Sequence, residues 1–174
     1  TYADVIEQAS RGLKAHFDEM ERSGRLRPED LQEARRSVLP NLKAWFQDPA
    51  VDRLSPRLKP ALVEAVRAGR WDGLANAFLR EVRFGTGGIR ALMGFDKPSI
   101  VALKECADLD APILRGPNTI NNIVVLKAAH GVGRFLAERP DRWSQKVPTA
   151  VVGFDSRTKG GHFARAVAEM LLAD

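Results

Sequence analysis

Hydrophobic residues recur every three or four positions from the first turn of the chain. Tyr2, Val5, Ile6, Ala9, Leu13, Phe17 and Met20 fall on one stripe of a helix, and Ser23-Gly24 supplies its stop. Pro28-Glu29-Asp30 reads as a second helix start, with proline early and acids near the positive end of the dipole. Leu31, Ala34, Val38, Leu42 and Trp45 carry its apolar face. Pro40 is expected to kink or break it, and Asp48-Pro49 closes it. A third helix, starting at Pro56 or Pro60, turns Ala61, Leu62, Ala65 and Val66 inward and stops at Gly69. A short fourth runs from Trp71 to about Leu79 and buries Trp71, Leu74, Ala75 and Phe78. Residues 1–80 are therefore expected to form a helical N-terminal extension.

The pattern changes near residue 82. Val82 to Gly94 mixes strand-like residues with a cluster of glycines. Residues 95–117 show no clear period and contain Pro98, Pro112 and Pro117, which predicts an excursion or loop. Asn118-Thr119 can cap a helix that runs to about Glu138 and ends at Arg139-Pro140. Gly131-Val132-Gly133 inside it reads as close packing rather than a loop, as does His130 beside it. Thr149 to Phe154 is a short apolar run of the kind a strand covered on both faces shows. Gly160 to Asp174 predicts a last helix, with Phe163, Ala166, Val167, Met170 and Leu171 apolar. The order is helices, then strand, helix, strand, helix. It predicts an α/β class, in which residues 81–174 are the start of an α/β unit and not the end of one. The chain begins at Thr1 and ends within a helical pattern, so it is expected to be part of a longer protein.

Composition narrows the function classes. The 174 residues are 44% hydrophobic and 28% charged, as in a globular protein, and hold no apolar run long enough for a membrane span. No secretory leader is evident, so a cytoplasmic location is the expectation. One cysteine, Cys106, excludes a disulfide framework within the chain and any multi-cysteine metal site. The net charge is +5, with most of the excess in residues 51–100. The basic residues are scattered and aromatics make up only 7%, so no nucleic-acid partner is expected. A diffuse positive field suits a small phosphorylated substrate equally well.

The glycine cluster is the main chemical signal. In Phe84-Gly85-Thr86-Gly87-Gly88-Ile89-Arg90 the glycines let backbone N–H groups approach an anion, and Arg90 can add bidentate charge. The segment matches neither a dinucleotide fingerprint nor a nucleotide P-loop, and composition alone leaves a plain tight turn open. Asp155 and Arg157 follow the second apolar run, where ligands of open α/β sheets gather. They read either as a substrate contact or as an ion pair that anchors a turn. His16, His130 and His162 fit no metal spacing, and Cys106 has no obvious base beside it.

Taken together, these segments resemble the start of an α-D-phosphohexomutase, the phosphoglucomutase/phosphomannomutase family. Phe84 to Arg90 is similar to that family's FGTxGxR motif, and Val151-Val152-Gly153-Phe154-Asp155-Ser156-Arg157 to its VxGxDxR strand end. Gly116-Pro117-Asn118-Thr119-Ile120-Asn121 opening the helix through Ala129-His130-Gly131 adds to the match. So does the helical lead-in with Trp45, Asp48-Pro49 and Trp71-Asp72. The resemblance covers about residues 40–174 and implies that residues 81–174 are the first half of an α/β/α domain. It implies a phosphoserine enzyme that interconverts sugar 1-phosphate and 6-phosphate through a sugar 1,6-bisphosphate, with Mg2+ as cofactor. It also implies that Arg90, Thr86, Gly87 and Gly88 border the phosphate, with Asp155 and Arg157 supporting them from behind. The phosphoserine and the Mg2+ ligands are expected downstream of Asp174, so these 174 residues alone are expected to be inactive. Residues 95–115 look like an insertion. The alternative is a non-catalytic protein-interaction module on a mutase-like scaffold. An incomplete domain is also expected to self-associate through its uncovered edge.

Overall fold

The computed structural model describes residues 1–85, 88–138 and 149–173. Five helices form the N-terminal part: α1 (Tyr2–Ser23), α2 (Pro28–Gln47), α3 (Pro49–Leu54), α4 (Leu58–Arg67) and α5 (Trp71–Phe78). A pair of two-residue strands follows, β1 (Phe84–Gly85) and β2 (Gly88–Ile89), antiparallel with Phe84 opposite Ile89. Then come α6 (Lys97–Glu105), α7 (Asn122–Ala137) and α8 (Gly160–Ala173).

The ends of these helices are set by local chemistry. Thr1 and Asp4 form a reciprocal capping box at the start of α1, and Gly24 ends it in the left-handed conformation at φ 62°. α2 opens on Pro28 with Glu29 and Asp30 in its first turn. Pro40 neither breaks nor ends it, because Val38 and Leu42, both fully buried, pin the helix on either side of the missing N–H. Asp48 closes α2 and also caps α3, its Oδ1 accepting from the Ala50 amide at 2.8 Å. The sequence pattern had placed only a break there.

The main core lies among α1 to α5. Leu13, Phe17, Val38, Leu42, Leu62, Val66, Leu74 and Phe78 belong to one buried cluster, which Leu114 and Ile123 extend toward α7. Trp45 meets Phe78 edge to face, with ring centroids 5.7 Å apart. A small second cluster, Leu103, Ala111 and Ile113, packs beneath α6.

The expected α/β architecture is overturned. The described residues are mostly helical, and β1–β2 plus a single parallel bridge from Leu92 to Thr119 are their only strand pairings. They contain no α/β/α layer. The physical reason is the lack of a neighbour. A strand is stable only where an adjacent strand takes its backbone groups. Val151 to Phe154 has no such neighbour among the described residues and forms no strand, with Val151 95% and Phe154 70% exposed. α7 and α8 pack directly on each other.

Two further expectations change. The 95–117 excursion contains a nine-residue helix, α6, whose N-cap Asp96 accepts from the Ser99 amide at 2.7 Å. α7 starts later than expected and is capped by Asn121, whose Oδ1 accepts from the Val124 amide at 3.1 Å. Within α7, Gly133 is buried, but Gly131 is exposed and an added Cβ would meet nothing there.

Candidate anion-facing cavity

The site is built from two chain segments that are far apart in sequence. The first is β2 and its exit. Gly88 sits at φ 124°, a conformation that suits glycine, and Arg90 follows on the exposed side. Among the described residues the Arg90 guanidinium has no hydrogen-bond or ion-pair partner. Thr86 and Gly87 lie outside the described residues.

The second segment is the turn into α8. The Arg157 side chain folds back on Asp155, with Nε 3.0 Å from each carboxylate oxygen and the Arg157 amide 3.1 Å from Oδ1. The Arg157 hydrogen bonds hold the Asp155 carboxyl below the usual carboxylate range, and Asp155 in turn holds the Arg157 guanidinium above its ordinary value. Both side chains are exposed. The turn closes tightly: the Gly160 amide donates to Arg157 O at 2.9 Å, and a Cβ at Gly160 would stand 2.9 Å from Asp155 O. Only a glycine fits there without displacing the backbone.

These two segments meet. Arg90, Asp155 and Arg157 all border one open cavity of about 780 Å³, whose inner wall is apolar and includes Met93, Ile120, Val152 and Phe163. Two guanidiniums and one carboxylate at the mouth of an apolar recess can hold an anionic group outside and a less polar body within. The Asp155–Arg157 pair also performs the anchoring role that sequence left open beside the substrate role.

Among the described residues, no group of three or more His, Cys, Asp or Glu is placed to hold a metal ion. His16 lies against Asp72, its Nε2 3.2 Å from Oδ1. The Cys106 thiol donates to Asp108 Oδ1 at 3.1 Å, a neighbour not evident from the linear pattern.

Sequence reasoning missed a buried polar cluster at the junction of α3 and α4. Arg115 is 1% exposed and donates to Leu109 O, Ala111 O, Asn122 Oδ1, Ser55 Oγ and Asp110 Oδ1 at 2.8–3.0 Å. Ser55 also donates to Asp110, and the Arg57 amide reaches Asp110 Oδ2 at 3.2 Å. Burial pulls the Arg115 pKa down, against the opposing pull of Asp110. The turn-forming run Gly116-Pro117-Asn118 next to it was the one available signal.

The fold and site thus define a helical protein with a cationic-mouthed cavity between its β2 exit and its last helix. Comparisons with protein-family models, with curated proteins and with solved structures find no match to this chain. No helix among the described residues is long and apolar enough to cross a membrane.

Proposed function

We propose that this chain forms the phosphate-facing wall of a cytoplasmic sugar-phosphate mutase, an enzyme that moves a phosphoryl group between the 1- and 6-positions by way of a sugar 1,6-bisphosphate. The observation that carries the proposal is the shared cavity of Arg90, Asp155 and Arg157. A phosphate entering it would meet Arg90, whose guanidinium has no partner among the described residues. Arg157 would then be shared between that phosphate and Asp155, which keeps the guanidinium oriented before the anion arrives. The phosphoserine and the carboxylates that bind Mg2+ belong, in this proposal, to residues that follow Asp174. What these residues contribute is anion binding and orientation. The proposal stands on the motifs and the cavity, not on an α/β domain.

Titration of the chain with glucose 1,6-bisphosphate, followed by calorimetry, tests it. The wild type should bind, and Arg90→Ala should weaken binding by about tenfold or more, the loss of one charge-assisted hydrogen bond. Thermal unfolding should be unchanged, because Arg90 is exposed. No binding by the wild type, equal binding by Arg90→Ala, or robust mutase turnover by these 174 residues alone would refute the proposal.

A further inference from the structure

The excursion after β2 is tied down on two sides. On one side Arg115 and Asp110 lock its end to Ser55 and Arg57 at the junction of α3 and α4. On the other, two backbone carbonyls at and just beyond the C-terminal end of α6 meet the turn before α8 and the first turn of α8 itself. Lys159 Nζ donates to Cys106 O, and His162 Nε2 lies 3.0 Å from Ala107 O. A carbonyl only accepts, so His162 carries its proton on Nε2 in this contact.

Lys159 is also the only non-glycine residue at positive φ among the described residues, at 64°. A lysine enters this region against the steric preference of its Cβ and persists there only when its surroundings hold it. The amine contact to Cys106 O is such a hold. The position of the acceptors fits as well: carbonyls at and just beyond a helix C-terminus lack intrahelical partners and carry the negative end of the dipole. A cation is the side chain they favour.

The turn held in this way carries Asp155 and Arg157 and closes against Gly160, all of which border the cavity. We propose that residues 97–107 act as a strut, with Lys159 and His162 as the positioning residues through which it holds the Asp155–Arg157 turn at the cavity mouth. Its purpose rests on the anion-binding reading above; its geometry does not.

The test uses Lys159→Asn, which tolerates the left-handed conformation and removes the amine, and Lys159→Arg, which restores a donor. The first readout is amide hydrogen exchange over residues 155–163 without ligand. Exchange should be about tenfold faster in Lys159→Asn, with near wild-type rates in Lys159→Arg, as expected for the loss of one charge-assisted bond holding a local unit. The second is titration with inorganic phosphate, where affinity should fall in Lys159→Asn and recover in Lys159→Arg. Unchanged exchange overturns the strut. So does faster exchange with unchanged phosphate affinity, because the turn would then need no positioning. A wild type that binds no phosphate, yet whose turn loosens in Lys159→Asn and tightens in Lys159→Arg, upholds the strut and sinks the anion-binding reading instead.

Discussion

Replacing Arg115 by methionine removes a guanidinium from the least exposed charged position among the described residues while keeping most of the side chain's length. Five acceptors lose a donor. Ser55 keeps its bond to Asp110, and Asn122 keeps its bond from Nδ2 to Leu54 O at 2.5 Å. The Leu109 and Ala111 carbonyls lose their guanidinium donor, and the Asp110 carboxylate, whose side chain is 17% exposed, loses its countercharge. Breaking a buried ion pair from one side costs about 3–5 kcal/mol, since the remaining charge is left uncompensated. One term works the other way: Arg115 Nε already has no partner, and methionine removes that unsatisfied group. The expected loss is therefore near the lower end, about 3 kcal/mol, a large share of an ordinary folding stability. For a chain of this length it lowers the melting temperature by roughly 6–12 °C. Urea unfolding followed by circular dichroism, with the slope checked for constancy, measures it. The double variant Arg115→Met with Asp110→Asn should recover part of the loss, because no unpaired charge remains. A single-variant loss under about 1 kcal/mol, in the range of ordinary surface substitutions, would show that the cluster does not hold the excursion to the helical core.

Gly12→Ala raises helix propensity by about 1 kcal/mol, yet the new Cβ would stand 2.1 Å from Trp71 Cζ2, an overlap whose relief costs about 1–3 kcal/mol. Net destabilisation is expected in urea unfolding, turning to stabilisation in a Trp71→Ala background; a stabilised single variant contradicts the packing of α1 on α5. Acid should unfold the chain through its capping carboxylates. Asp96 is held below its ordinary pKa by the Ser99 hydroxyl and amide. At Asp48, burial pushes the pKa up but is outweighed by the Ala50 amide and Lys127. Because both folded pKa values lie below the unfolded ones, their stabilisation is complete above about pH 4 and is lost as the pH falls through the folded values. The urea midpoint should fall below about pH 4, less so in Asp96→Asn, and a midpoint that rises on acidification would reverse the sign of this reasoning.

Helices with a single apolar stripe were legible from the linear pattern, because a period near 3.6 states which face is buried. That holds for α1, α2, α4 and α5; α7 and α8 were legible as helices, but α8 buries none of its residues and Phe135 of α7 is exposed. α6 was not legible. Its proline occupies the first turn, where a missing N–H costs nothing, and only Leu103 of its nine residues is buried, so no stripe announces it. At the site, Arg90, Asp155 and Arg157 were legible as charged residues beside glycines and an apolar run. That they border one cavity was not, since Ile89 and Gly153 lie 64 positions apart along the chain and spacing says nothing about which distant segments meet.

Sequence by itself determined the composition of each local unit: helix starts, helix stops and the stripes that α1, α2, α4 and α5 bury. These depend on residues within a turn or two of one another, where the backbone's own geometry does the selecting. Tertiary structure decided the rest. A run such as Thr149 to Phe154 suits a strand, but a strand exists only if another segment arrives to share its hydrogen bonds, and that is settled by the whole chain. Likewise Arg115, Asp110 and Ser55 gain their meaning only when the excursion folds back on α3 and α4, where burial turns three ordinary polar residues into one interdependent cluster.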